Sequence, residues 1–260
     1  MSGDKVGEVE RGGRGGRVAG VREGEAVVAA SGGRGGDVDL LTCAVLNNVE
    51  WCGLVSGRGV SDDATGVWLV TGSPSPLFPD AVTLRRGVSA DRLASVLSDR
   101  QTCSVKDSFA DVDLGPHGFR PLFTGRWIGC AAPPGGSTGW SHVADLVGPK
   151  SWCVAADLPE VLPPALLHHP SVHVLATHRD GTFAGGAIAN RSAAVVGLSN
   201  VFQVDGSGAG VRREVASVVS RHVPGLPVVG YEHGADLDAA LGAGSAELGP
   251  VRVWLREQQA

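Results

Sequence analysis

Gln203-Val204-Asp205-Gly206-Ser207-Gly208 is the stretch on which the fold turns. It closes a strand-like run, Ala194 to Val204, and opens a helix whose apolar face is Val211, Val215, Val218 and Val219 and which must stop before Pro224. Glycines at a strand-to-helix turn let backbone approach a ligand closely, and the helix N-terminus favours an anion there. Asp205 works against that reading, because a carboxylate repels a nearby anion unless it turns away. The plainer alternative is a flexible connection in a chain that holds 39 glycines.

Working outward, Val172 to Ala176 and Phe183 to Ala189 read as two more strands, with turns at His178-Arg179-Asp180-Gly181 and Asn190-Arg191-Ser192. Together with Ala194 to Val204 they form a β-meander. Downstream, Leu226 to Tyr231 is a short buried strand, Leu237, Ala240 and Leu241 mark a helix ending in Gly242-Ala243-Gly244, and Val251 to Leu255 is a last strand.

This order over Val172 to Glu257, three strands, glycine loop, helix, strand, helix, strand, resembles the core of the GNAT superfamily of N-acyltransferases. Residues 203–208 match that family's Q/R-x-x-G-x-G/A loop. The resemblance implies an α/β (α+β) fold with a mixed, mostly antiparallel sheet flanked by helices. It also implies acetyl-CoA or another acyl-CoA as co-substrate, its pyrophosphate held by Gln203, Val204, Gly206, Ser207, Gly208, Ala209 and Gly210, and a small-molecule amine as acceptor. Pro227 to Glu232, Asp236 to Leu241 and Gly244 to Gly249 look like the family's fifth strand, fourth helix and following turn. There the strand splays from its neighbour so that the pantetheine arm can pair with exposed backbone.

Two departures bear on chemistry. Ser245 stands where the family usually has Phe, and helix 236–241 lacks the Tyr that in many members protonates the leaving thiolate. The strand Val195 to Gln203 has no Asp or Glu to serve as a general base, only Ser199, Asn200 and Gln203 as polar side chains. Tyr231, Glu232 and Asn200 are therefore the catalytic candidates, with His233 beside them.

The preceding part reads as helix (Leu40 to Leu54, ended by Gly57 and Gly59), two strands (Val67 to Val70, Ala81 to Leu84), a helix capped by Ser89, a short strand Cys103 to Val105, a polar segment Lys106 to Phe109, and a strand Arg120 to Cys130. It is similar in order to a shortened GNAT lobe without a glycine loop. The expected organisation is a disordered Gly/Arg-rich tail over 1–36, a degenerate lobe over 37–132, a linker at 133–139 and the main domain over 140–260. Trp140 to Val147 is expected to start that domain with a short helix. In such a tandem arrangement Trp51, Asp107 and Trp127 would line the acceptor cleft.

Composition narrows the classes of partner. Net charge is −5 with both signs interleaved, which argues against a nucleic-acid binder. Lysine is scarce, at Lys5, Lys106 and Lys150 only, a bias expected of a GC-rich bacterial coding background. Five scattered cysteines without a CxxC pair argue against a disulfide framework or a zinc site and fit a reducing cytoplasm. His168, His169 and His173, with Pro170 among them, read as a solvated turn, so no metal is expected. No long apolar run suggests a membrane span. The expected species is a monomer or homodimer. Two functions follow, an N-acyltransferase or a catalytically silent GNAT-fold binding protein, with other chemistry on the scaffold as a remoter third.

Overall fold

The computed structural model describes residues 39–131, 139–143, 148–158, 162–204 and 208–257. The expected tail and nearly all of the expected linker lie outside the described residues. Val38–Ala260 forms one compact unit.

Its elements are α1 (Leu40–Ser56), β1 (Gly59–Asp62), β2 (Val67–Val70), β3 (Ala81–Thr83), α2 (Ala90–Val96), β4 (Cys103–Asp107), β5 (Arg120–Cys130), β6 (Trp140–His142), α3 (Gly148–Ala155), β7 (Val172–Arg179), β8 (Thr182–Arg191), β9 (Val196–Gln203), α4 (Gly208–His222), β10 (Val228–Glu232), α5 (Gly234–Gly242) and β11 (Ala246–Arg256). One sheet joins the described strands in the order β1-β2-β3-β4-β11-β5-β10-β9-β8-β7-β6. Leaving β6 aside, it reads alike from both ends. β1-β2-β3, a crossover through α2 and parallel β4 match β7-β8-β9, a crossover through α4 and parallel β10.

The two halves also exchange their last strands. β5 pairs with β10, while β11 enters between β4 and β5. Each half thereby supplies backbone partners that the other needs, so the exchange ties the halves into one sheet.

Strand alternation decides which helix covers which face. Leu175, Ala187, Ala189, Val196 and Val228 face α4 through Val211, Val215, Val218 and Val219. The alternate residues Val174, Ala176 and Ile188 face Trp152 of α3 and Trp51 of α1 on the opposite side. Further along, α1 packs Leu41, Ala44 and Val45 on Trp127, Val229 and Val251. Asp39 caps α1 by accepting from the Leu41 N–H, and Gly57 at φ 93° ends it. A buried amide pair pins α1 to the sheet: Asn47 Nδ2 donates to Asn190 O at 3.0 Å and Asn190 Nδ2 donates to Asn47 Oδ1 at 3.1 Å.

Several elements differ from the sequence expectation. Trp140 begins a strand instead of a helix, because 140–142 pair antiparallel with Leu175 to Thr177. β1 is an additional strand at the sheet edge, mostly exposed and therefore without an apolar signature. β4 runs on through Lys106 and Asp107, which are buried instead of forming a polar surface turn, since β11 covers that edge through Lys106↔Val253 and Asp107↔Arg252.

Candidate active site

The site is built where two parallel strands part. β9 and β10 pair only at Val228↔Val196 and Val229↔Gly197, whereas β10 stays paired with β5 from Val228 to Glu232. β9 turns away through a register break opposite Gly186 to Ile188, where Asn200 takes φ 52°. Asn tolerates this left-handed conformation better than most residues. At the parting point Gly230 is sterically required: a Cβ there would lie 2.7 Å from the Leu198 carbonyl oxygen.

A cavity of about 390 Å³ opens on the α1 side of the split. Its walls include Trp51, Trp127, Asn200, Tyr231 and Glu232, so five of the residues singled out in the sequence meet in one space. A second cavity of about 240 Å³ lies between β10, α4 and α5 and is bordered by Arg213, Ala216, Ala240 and Ser245. Leu198, Gly230, Glu232 and Arg212 border both cavities, which places them at the gap between the strands.

Asp107 is not brought into this group. It is fully buried, and its carboxylate accepts from the Val112 N–H at 3.0 Å and the Phe109 N–H at 3.4 Å, organising the turn after β4. Burial raises its pKa, against the pull of those N–H groups. The expectation that Asp107 lines the cleft is corrected accordingly. Trp127 reaches the cavity wall while its Nε1 donates to Ser108 O at 2.8 Å.

Of the expected phosphate-loop residues, Gly206 and Ser207 lie outside the described residues. Gln203 and Val204 are exposed at the end of β9, with the Val204 N–H donating to Ala184 O at 2.9 Å. Gly208, Ala209 and Gly210 form the first turn of α4. A Cβ on Gly208 would meet the Ala239 Cβ at 3.0 Å, so a small residue lets α5 sit against this turn.

Three charged or polar groups of the cavity were not among the site residues expected from the sequence. Arg212, 7% exposed, donates to Glu232 Oε1 at 2.7 Å and to Asp236 Oδ1 at 3.4 Å. Burial raises the Glu232 pKa while Arg212 pulls it back. Lys106 Nζ donates to Asn48 Oδ1 at 2.8 Å and to Tyr231 Oη at 3.2 Å, and lies 4.3 Å from the Tyr231 ring centroid. Burial opposes its charge, yet the Tyr231 and Cys52 side chains facing it hold its pKa above the ordinary lysine value. Ser199 Oγ is buried at the cavity wall and has no hydrogen-bond partner among the described residues.

Among the described residues no group of three His, Cys, Asp or Glu side chains is placed to hold a metal ion. His173 instead clusters with His142 and His222, at ring-centroid distances of 5.0 and 5.7 Å. No helix among the described residues is long and apolar enough to cross a membrane.

The fold is that of the GNAT N-acetyltransferases. No protein-family model and no curated protein matches the chain. Solved structures do. A GCN5-related N-acetyltransferase from Kribbella flavida is similar at TM-score 0.57 and 15% identity, covering 82% of this chain and 95% of that one. A GNAT-family protein from Novosphingobium aromaticivorans is similar at TM-score 0.55 and 15% identity, covering 84% and 97%. A conserved protein of unknown function from Staphylococcus epidermidis gives TM-score 0.59 at 11% identity, covering 79% and 96%.

Proposed function

We propose that this protein is an acyl-CoA-dependent N-acyltransferase that moves an acetyl or other short acyl group to the amine of a small molecule. The observation that carries the reading is the split between β9 and β10, flanked by one cavity on each side of the sheet. The residues present suit an acyl-CoA. The first turn of α4 offers a helix N-terminus to the phosphates, the cavity along α5 suits the pantetheine arm, and the Ser199 hydroxyl, without a partner among the described residues, lines the cavity on the α1 side. Gln203, Val204, Gly206, Ser207, Gly208, Ala209 and Gly210 are the proposed phosphate-binding residues. When bound, the acyl-CoA would supply a thioester carbonyl open to attack.

The chain's own groups then have defined tasks. Glu232 takes the proton from the acceptor nitrogen; its raised pKa makes it a stronger base than an exposed carboxylate. Tyr231 Oη accepts from Lys106, which leaves its own hydrogen free to be given to the thiolate sulfur. Asn200 and the aromatic walls Trp51 and Trp127 orient the acceptor and exclude water. Residues 37–132 act in this reading as a GNAT-like lobe without a cofactor site of its own, contributing α1 and Lys106 to the acceptor cavity. The five scattered cysteines, which lack a CxxC spacing, support a reducing cytoplasmic setting, with the protein acting as a monomer or homodimer.

A second reading, a GNAT-fold binding protein without turnover, is favoured by the 2.7 Å contact that ties Glu232 to Arg212. Thermal unfolding with millimolar acetyl-CoA tests the shared premise. Binding at 100-fold over Kd adds about 2.7 kcal/mol, or roughly 5–10 °C in Tm for a domain of this size. Gly208→Glu is expected to abolish the shift. No shift with acetyl-, malonyl- or longer acyl-CoA sinks the proposal. Given binding, acetyl transfer to an amine panel that falls about 100-fold or more in Tyr231→Phe or Glu232→Gln identifies an enzyme; binding without transfer identifies the silent protein.

A further inference from the structure

Lys106 is an unusual group to find in the acceptor cavity. It is 4% exposed, yet it borders a cavity large enough for a small molecule. An ammonium has three donors. Among the described residues two are taken, by Asn48 Oδ1 and Tyr231 Oη, and neither acceptor is a carboxylate. The other strong cation at the cavity, Arg212, is engaged by Glu232 and Asp236. Taking a charge out of water is costly unless it is paired. Lys106 therefore stands as a buried, single positive charge with one donor left for an anion.

We propose, on the reading of this cavity as the acceptor site, that Lys106 anchors a carboxylate on the acceptor, so that the substrate class is an amine bearing a carboxyl group, such as an amino acid. A single charge at the wall matches a monoanion. A phosphate dianion would leave one charge unmatched, because Arg212 is already neutralised by two carboxylates. The anchor also sets direction. Lys106 enters from β4, held there by β11, whereas Glu232 and Asn200 lie at the β9 and β10 side of the same cavity. A molecule held by its carboxylate at Lys106 has its amino group free to point toward the split.

Direct binding tests this without turnover. Calorimetry would compare N-acetyl amino acids, the products of such a reaction, with their C-terminal carboxamides on the full chain. The acids are expected to bind about 30-fold or more tightly than the amides, as for a buried charge pair. Lys106→Met should erase that preference while leaving the acetyl-CoA melting shift in place, and Lys106→Arg should restore part of it. Equal binding of acids and amides to the unsubstituted protein, no binding of either, or a preference for O-phosphoethanolamine over the carboxylates overturns the proposal, whether or not the Met variant folds. A missing acetyl-CoA shift alongside a clear acid preference would count against acyl transfer and leave the anchor standing.

Discussion

Replacing Arg212 by Met should destabilise the protein by an amount that grows with pH. Arg212 sits on α4 at 7% exposure and is shared between Glu232 and Asp236. Asp236 has a side chain 69% exposed, so its contact is worth little. The weight falls on Glu232, whose side chain is 18% exposed. Breaking a buried pair costs about 3–5 kcal/mol when the remaining charge cannot escape. Partial exposure reduces this to about 2–3 kcal/mol at pH 8, which is roughly 4–12 °C in Tm. Escape by protonation reduces it further in acid. Burial already raises the Glu232 pKa against the opposing pull of Arg212, and removing Arg212 raises it more. A carboxyl whose folded pKa lies above its unfolded value of about 4.3 has its full stability below that value and loses it as pH rises through the folded pKa. The deficit relative to the unsubstituted protein should therefore be below about 1 kcal/mol near pH 5 and largest at pH 8. His233 and Asp236 also act on Glu232, so the pH trend of Arg212→Met should disappear when it is made in a Glu232→Gln background. Urea unfolding at pH 5, 6.5 and 8 compares the unsubstituted protein, the two single variants and the double variant. A deficit that is flat with pH, or larger at pH 5, refutes the reasoning.

Gly230→Ala places a Cβ 2.7 Å from the Leu198 carbonyl oxygen, a backbone atom that cannot swing aside. We expect a loss of about 1–3 kcal/mol together with a weaker acetyl-CoA melting shift; unchanged values for both would show that the split is not constrained there. Asn47→Ala removes the Nδ2 donor from Asn190 O and leaves Asn190 Nδ2 only the Asn47 backbone carbonyl at 3.3 Å, and should cost about 1–3 kcal/mol in urea unfolding. His142 and His173 have pKa values lowered by burial and by neighbouring histidines, His173 also by Arg191. Their contribution to stability is present above the unfolded value of about 6.5 and is lost as pH falls through the lowered folded values. His173→Gln should flatten that acid limb; an identical limb in the variant would exclude His173 as its source.

The C-terminal half was legible where its signals are local. The β-meander, the valine stripe of α4 and the short strand β10 each announce themselves within a window of ten to fifteen residues, by period and by turn chemistry. So do helices α1 and α2, the latter with Ser89 at its start. Trp140 was misread because three residues define neither period, and its state depends on pairing with Thr177, far along the chain. Of the site, Tyr231, Glu232 and Asn200 could be named because they flank a recognisable strand order. Lys106 and Arg212 could not. Arg212 reads as an ordinary polar position on a helix until α5 and β10 close over it.

By itself, then, the amino-acid order determined the kinds of most elements and their succession, since these follow from backbone preference and hydrophobic period over short spans. The tertiary structure alone decided the exchange of β5 and β11, which is a choice of partner between segments far apart in the chain. That exchange covers β4 with β11 and buries Lys106, converting a polar stretch into a charged wall of the cavity. It also removes Asp107 from the cleft, because a carboxylate buried beneath a paired strand finds its partners in the backbone of the next turn.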